Sequence, residues 1–355
     1  MRKRILAALT AASLAVSLAA CGSAGSSAAA SESTAAGTGT TEAAEEAEDA
    51  AEGADAATGE AFTVGICQQM PHVALDAATQ GFKDALVEAF GEGGVEFDEQ
   101  NAQGDSNTCN TIVNSFVSSG YDLIMANGTS ALQAAQAGTA DIPILGTSVT
   151  EYGVALGIDG FDGTVGGNVS GTSDLAPLDE QAQMLADFFP VDQYPTVGML
   201  YCSAEPNSAY QVEQVTGYLT EMGYTVEDYS FSDSNDLATI ATNASTSCDV
   251  IYIPTDNTAA SNTEIIQNIC LPAGVPIIAG EEGICGGCGV ATLSISYYDL
   301  GYATGEMAVK ILSGEADIAE MPIEYAPNFT KKYNAANAEA LGVAIPEDYE
   351  AIAAE

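Results

Sequence analysis

The sequence predicts an α/β protein: two doubly wound, Rossmann-like lobes with parallel sheets, joined by a hinge. Three observations carry this. Short apolar runs alternate with amphipathic stretches, the pattern of strands and helices that covers a parallel sheet on both faces. The two halves share short segments in the same order, at an offset of 127 to 133 residues. About 295 residues follow a low-complexity N-terminal segment, enough for two domains of ordinary size.

The chain opens with Arg2, Lys3 and Arg4, an apolar run from Ile5 to Leu18, and Ala19 and Ala20 before Cys21. A basic start, a short apolar stretch and small residues at a cleavage point mark an export signal. The run is too short and too rich in small residues for a membrane span of roughly 20 strongly apolar residues. Residues 1–20 are therefore expected to be a signal peptide. Leu18-Ala19-Ala20-Cys21-Gly22 resembles the lipobox of bacterial lipoproteins, which implies cleavage before Cys21 and a diacylglycerol on its sulfur. A free Cys21 after an ordinary cleavage site is the alternative. After Cys21, residues 22–60 are Ala, Ser, Thr, Gly and acids, with no aromatic residue and no Ile, Leu, Val or Met, and residues 21–60 form one segment. Such a segment buries too little apolar surface to offset its ordering entropy, so it reads as a disordered acidic tether.

Strand-like runs follow at Phe62 to Cys67, Val95 to Asp98, Leu123 to Ala126, Pro143 to Thr147, Val197 to Tyr201, Val226 to Tyr229, Val250 to Pro254 and Val275 to Ala279, with amphipathic stretches such as Ala74 to Phe90 and Gln211 to Met222 between them. The repeat pairs Asp105-Ser106-Asn107 with Asp233-Ser234-Asn235, Thr63-Val64-Gly65 with Thr196-Val197-Gly198, and Tyr121-Asp122-Leu123-Ile124 with Cys248-Asp249-Val250-Ile251. Hinges are expected near Gly171 to Asp174 and Thr292 to Ser296, and a helix from Tyr297 to Leu312 stopped by Gly314. By fold analogy this helix returns to the first lobe and a strand near Pro322 to Tyr325 goes to the second. The lobes then comprise residues 61–172 plus about 297–321, and 173–296 plus about 322–355.

Seven basic residues face fifty acidic ones, and three of the seven lie in the expected signal peptide. The remainder carries Lys83, Lys310, Lys331 and Lys332 and no Arg. So acidic a body makes nucleic acid and anionic lipid headgroups poor partners. It also disfavours phosphates and dicarboxylates, which are usually gripped by an Arg fork or a Lys charge. A neutral, zwitterionic or cationic small molecule fits better, and a carboxylate can still be held by N–H groups and hydroxyls at helix starts. Trp is absent, which lowers the case for stacked sugars.

Six short segments resemble one family. They are His72-Val73-Ala74-Leu75-Asp76 with Gly81-Phe82, Asn101-Ala102-Gln103-Gly104-Asp105, Gly171-Thr172-Ser173-Asp174, Glu205-Pro206-Asn207-Ser208, Pro254-Thr255-Asp256-Asn257, and Tyr297-Tyr298 with Leu300-Gly301. In this order, over residues 62–345, they are similar to the substrate-binding lipoproteins of the ABC importer family that includes tryptophan- and tyrosine-binding members. The resemblance implies type I periplasmic-binding-protein lobes, a ligand clamped between them, an ABC permease and ATPase as partners, a lipid anchor at the outer face of the cytoplasmic membrane, and a monomer. The chain departs from the family pattern at His72-Val73 (commonly His-Pro), at Glu151-Tyr152 (commonly Asp-Pro) and at the Cys-bearing loop Gly283 to Gly289.

In doubly wound sheets ligands sit beyond the carboxyl ends of strands. Thr129 and Ser130, after Asn127-Gly128 at a helix start, are candidates for a ligand carboxylate, assisted by Ser148. Thr255, Asp256 and Asn257, and Glu281 or Glu282, follow second-lobe strands, and Asp256 and Glu281 are candidates for an ammonium. Asp256 reads equally as a cap before Thr258, and at least one Glu of the pair as a solvated loop residue. Asn207 and Ser208 follow the family match toward the ligand, with capping as the alternative. Gln69 and His72, the only histidine, stand at the mouth of the first strand. Met70, Leu75 and Tyr152 are candidates for an apolar pocket or for core.

The leading expectation is a binding protein for a zwitterionic aromatic amino acid, without catalytic activity, cofactor or metal. Another uncharged ligand, a nucleoside or sugar, is the second reading. A lipid-anchored thiol redox protein is the third, resting on the C-x-x-C spacing of Cys285 and Cys288. Seven Cys remain after Cys21, and no second C-x-x-C or His pair completes a zinc site.

Overall fold

The computed structural model describes residues 61–326 and 328–353. The expected signal peptide of residues 1–20 and the expected tether of residues 21–60, with Cys21, lie outside the described residues.

The first lobe begins with β1 (Phe62–Gln68), α1 (Val73–Phe90), β2 (Val95–Asn101), α2 (Ser106–Ser119), β3 (Leu123–Asn127), α3 (Thr129–Gly138), β4 (Ile144–Val149), α4 (Tyr152–Leu156) and β5 (Val169–Ser173). The second holds α5 (Leu178–Phe188), β6 (Thr196–Cys202), α6 (Pro206–Glu221), β7 (Thr225–Phe231), α7 (Ser234–Ser247), β8 (Val250–Ile253), α8 (Asn257–Ala260), α9 (Thr263–Ala273), β9 (Ile277–Ala279), α10 (Glu282–Cys288) and β10 (Ala291–Ser294). The first sheet runs β2-β1-β3-β4-β5 and the second β7-β6-β8-β9-β10, with parallel neighbours throughout these ten strands. This is the doubly wound order, and it places a ligand crevice where the winding reverses.

The internal repeat has a physical meaning. Asp105 caps α2 by accepting from Thr108 N at 2.9 Å, and Asp233 caps α7 by accepting from Asn235 N at 2.8 Å. Asp122 accepts from Thr63 N at 2.7 Å and Asp249 from Thr196 N at 2.9 Å. In each lobe the same acid therefore ties the start of the central strand to its neighbour. Each sheet is covered on both faces by an apolar cluster, one around Phe116 and one around Phe82 in the first lobe, one around Tyr252 and one around Phe231 in the second.

After β10 the chain returns to the first lobe as α11 (Tyr297–Leu312), which lies against α1. Glycines permit that approach: a Cβ on Gly81 would strike the Tyr298 carbonyl, and one on Gly301 the Ala78 carbonyl. The family segments holding these glycines are thus packing surfaces.

One assignment is corrected. The segment near Pro322 to Tyr325, expected in the second lobe, forms β11 (Glu324–Tyr325) and pairs with β5 in the first sheet. It is anchored there because Ser170 Oγ donates to Met321 O at 3.0 Å, Ile323 N donates to Gly163 O at 2.8 Å, and Ile323 enters the core beside Phe116. The strand that reaches the second sheet is β12 (Thr330–Tyr333), antiparallel to β10, with β13 (Glu350–Ala351) beyond it and α12 (Ala335–Leu341) between. The chain therefore crosses three times, after Ser173, after Ser294 and between Tyr325 and Thr330. The first two crossings fall within the expected hinges, Gly171 to Asp174 and Thr292 to Ser296, of which Gly171 to Ser173 and Thr292 to Ser294 are the ends of strands.

Candidate functional site

The carboxyl ends of both sheets face one narrow cavity of about 10 Å³, room for roughly one water with the lobes this close. From the first lobe come His72 and Leu75 at the start of α1, Ser148 and Thr150 at the end of β4, and Asp174 just past β5; Tyr297 opens α11. Asn207 of α6, Thr255, Asp256, Asn257 and Ala260 around α8, and Glu281 before α10 form the facing wall. The lobes touch directly at its rim: His72 Nε2 meets Asn257 Oδ1 at 3.2 Å, and Ser261 Oγ donates to Pro71 O at 3.2 Å and contacts Met70 Sδ at 3.0 Å.

Eight of the sequence candidates line this cavity: His72, Leu75, Ser148, Asn207, Thr255, Asp256, Asn257 and Glu281. Seven do not. Gln69 Oε1 accepts from Ser130 N at 2.8 Å, so the helix start at Asn127, Gly128, Thr129 and Ser130 is capped by the protein's own amide. Asn127 Nδ2 donates to Leu75 O at 2.8 Å and Thr79 Oγ1 at 3.0 Å, holding α1 to β3. Met70 sits at the lobe contact and Ser208 is fully buried in the first turn of α6. Tyr152 is core as well, its hydroxyl donating to Thr172 O at 3.0 Å.

The two expected ammonium ligands are caps. Asp256 Oδ1 accepts from Ala259 N at 2.8 Å and Oδ2 from Cys202 N at 2.7 Å. Glu281 Oε2 accepts from Gly283 N at 2.6 Å and Oε1 from Ile284 N. Glu282 pairs with Lys332 at 2.5 Å. The carboxylate with a free oxygen is instead Asp174, 4% exposed: Oδ2 accepts from the Tyr297 hydroxyl at 2.9 Å, and Oδ1 has no partner. Sequence reasoning placed Asp174 in a hinge motif, and missed Thr150, Ala260 and Tyr297 as lining residues. An acid directly after a fully buried strand was the available signal for Asp174.

Behind the wall, Glu205 gathers the second-lobe loops. Its Oε2 accepts from Asn257 Nδ2 at 2.7 Å and Asn257 N at 3.1 Å, and its Oε1 from Thr258 N at 2.8 Å and Thr258 Oγ1 at 2.7 Å. Asn207 Nδ2 donates to Thr255 O at 3.1 Å.

The electrostatics are one-sided. Asp174, Asp256 and Glu281 line the cavity and no Lys or Arg does. Burial pushes all three carboxyls up, Asp256 and Glu281 to about 7, with Glu205 adding repulsion at Asp256. Burial also lowers the pKa of His72 below the usual imidazole value, which favours the neutral ring. Four of the six buried polar atoms that lack a partner among the described residues belong to the lining: His72 Nδ1, Ser148 Oγ, Asp174 Oδ1 and Asn207 Oδ1. Native interiors rarely leave such groups unpaired, so a cluster of them marks a place completed by something else. Ser148 adds backbone strain, with φ of +54° in the left-handed region that non-glycine residues seldom adopt.

Comparison with known proteins agrees with this architecture. A family profile described as ABC transporter substrate binding protein matches residues 63–355. A tyrosine-binding protein from Clostridioides difficile (strain R20291) is 35% identical over 262 residues, 73% of this chain and 75% of that protein. An ABC domain from Streptococcus pneumonia, solved in complex with L-Trp, superposes with a TM-score of 0.76 at 31% identity, covering 81% of this chain and all of that one. The ligand-free, open structure of a substrate binding protein with adhesive properties from Clostridium difficile is more similar in sequence, 36%, yet superposes with a TM-score of 0.64, covering 83% of this chain and all of that one. The greater likeness in shape to the liganded relative accompanies the direct contacts between the lobes at the cavity rim.

Proposed function

We propose that this chain, which belongs to the family of ABC transporter substrate binding proteins, captures a zwitterionic aromatic amino acid between its lobes and presents it to an ABC importer while tethered to the membrane through Cys21. The single observation that carries the ligand reading is the unpartnered oxygen of Asp174 in a cavity rich in buried carboxylates, lined by no Lys or Arg and by a His72 that burial keeps neutral. An ammonium there would gain a charge-assisted hydrogen bond and relieve the cost of three desolvated acids. The ligand carboxylate, with the helix start of α3 already capped by Gln69, falls to hydroxyls. Ser148 Oγ is the unpartnered lining atom able to donate, with Thr150 and Thr255 beside it in the lining. Relatives named for tyrosine and solved with L-Trp support an aromatic side chain.

The thiol reading has less support. Cys285 and Cys288 are buried in the second-lobe core, and burial pushes both thiols far above their ordinary pKa, away from the thiolate that redox chemistry needs. A nucleoside or sugar meets three buried acids with no cation to offer them.

Titration calorimetry of the purified mature body with L-tyrosine, L-tryptophan and L-phenylalanine tests the ligand. Binding of at least one is expected, and heat from none of them would refute the amino-acid reading. Labelling of whole cells with a lipid precursor tests the anchor, which is lost in Cys21→Ser.

A further inference from the structure

Resting on the amino-acid reading above, we infer that His72, held as its Nε2–H tautomer, joins Asp174 and Asn207 as three acceptors that read the three N–H donors of a primary ammonium, making His72 a specificity-determining residue. The tautomer follows from a chain of hydrogen bonds that starts at Glu205. Asn257 Nδ2 donates to Glu205 Oε2 at 2.7 Å, and a carboxylate can only accept, so the Asn257 amide is fixed with Oδ1 turned away. That Oδ1 lies 3.2 Å from His72 Nε2. Oδ1 has only lone pairs, so Nε2 must carry the proton, and in a neutral ring Nδ1 is then a bare acceptor. Nδ1 is buried and has no partner.

Asn207 is oriented by the same acid. Its Nδ2 donates to Thr255 O at 3.1 Å and Glu205 Oε2 at 3.3 Å, which leaves Oδ1 as its buried, unpaired end. Asp174 Oδ1 is the third, since Oδ2 is taken by Tyr297. The lining thus offers a nitrogen lone pair, an amide oxygen and a carboxylate oxygen, and Ser148 Oγ is the one unpaired atom there that can also donate. An ammonium with three N–H groups satisfies three acceptors. Each alkyl group on the nitrogen removes a donor and leaves a buried acceptor unpaired, and an N-acyl group removes the charge too. Asn257 and Ser261, reaching from the second lobe to His72 and Pro71, link this reading to closure.

The test uses untagged protein, in which His72 is the only histidine and gives one set of imidazole signals. Nitrogen-15 spectra of the ring are expected to show the proton on Nε2, and L-tyrosine is expected to shift Nδ1 toward a hydrogen-bonded acceptor. Calorimetry is expected to show N-methyl-L-tyrosine binding at least about tenfold more weakly than L-tyrosine, and N-acetyl-L-tyrosine more weakly still. His72→Gln keeps a donor toward Asn257 and loses the Nδ1 acceptor, so its preference for L-tyrosine over the N-methyl compound should shrink, whereas His72→Asn, which keeps an acceptor in the Nδ1 position, should retain it. A purely structural role would move affinity for all these ligands together. An Nδ1–H tautomer, an Nδ1 signal unmoved by bound ligand, or equal affinity for the N-methyl compound overturns the inference while leaving the amino-acid reading intact. If no amino acid binds but tyramine does and N-methyltyramine does not, the amino-acid reading falls and the inference stands; a protein that binds none of these overturns both.

Discussion

Asp174 follows a strand that is buried along its length, and its two oxygens divide the work: one fixes Tyr297, the other has no protein partner. Replacing it with Asn preserves shape and removes the charge. Asp174→Asn is expected to weaken amino-acid binding by about 1.5–3 kcal/mol, roughly ten- to a hundredfold, the usual worth of a hydrogen bond to a charged group. Asp256→Asn and Glu281→Gln should act mainly on stability, since both acids cap helices. Unchanged calorimetric affinity in Asp174→Asn would remove it from the site. The same acids fix a pH dependence. Burial raises Asp256 from 3.8 and Glu281 from 4.5 to about 7, so between these values the folded protein holds protons that the unfolded chain has released. Unfolding then releases protons, and stability of the ligand-free protein falls as pH rises through that window. Ligand reverses the preference, because an ammonium favours the ionised carboxylates. Thermal unfolding across roughly pH 4.5 to 8 should show Tm falling without ligand and binding tightening with it. A ligand-free Tm that climbs over this range would contradict the burial argument.

The packing of α11 on α1 sets how the returning chain meets the first lobe. Gly301 lies against the Ala78 carbonyl with no room for a methyl group, and Gly305 meets Phe82 and Ala85 in the same way. Gly301→Ala is expected to push the helices apart and cost about 1–3 kcal/mol, as overpacking does, read as a lower midpoint in urea at unchanged slope. An unaltered midpoint would mean that the interface yields without cost. What the sequence makes legible differs between elements for physical reasons. Six of the eight strands are readable because parallel strands buried on both faces are continuous apolar runs, whereas β2 and β7, at the sheet edges, are only partly buried and carry only short apolar stretches. The repeated Asp-Ser-Asn and Thr/Asp pairs were readable because capping is a local interaction. β11 was misplaced because a two-residue strand has no pattern of its own, and its anchors, Ser170 and Gly163, are remote in sequence. At the site the strand-end loops are legible, but the roles of their acids stay open in the sequence, as the two equal readings of Asp256 show. A carboxylate at a helix start looks the same in sequence whether its oxygens are taken by backbone amides, as in Asp256 and Glu281, or free, as in Asp174.

At the scale of the molecule, closure brings together groups that repel. Three desolvated carboxyls share the cavity, while the polar contacts across its rim are few: His72 with Asn257, and Ser261 with Pro71 and Met70. Each such bond is worth about 1 kcal/mol net, too little to hold charged groups out of water unaided. Closure should therefore need an ammonium to offset the acids, or protons in its place. The ligand-free protein at neutral pH is expected to be open in solution, and to compact when saturated with ligand, a fall in radius of gyration that small-angle scattering resolves. Ligand at a hundred times its Kd should also add about 2.7 kcal/mol to stability. Lowering the pH below about 5 without ligand should produce part of the same compaction, because protonated Asp256 and Glu281 no longer carry charge into the cavity. Asp174→Asn removes one buried charge permanently and should shift the ligand-free protein toward the compact form at neutral pH. Scattering that is identical with and without calorimetrically saturating ligand, in both the parent chain and Asp174→Asn, would show that the lobes do not hinge and that the acids play no part in holding them open.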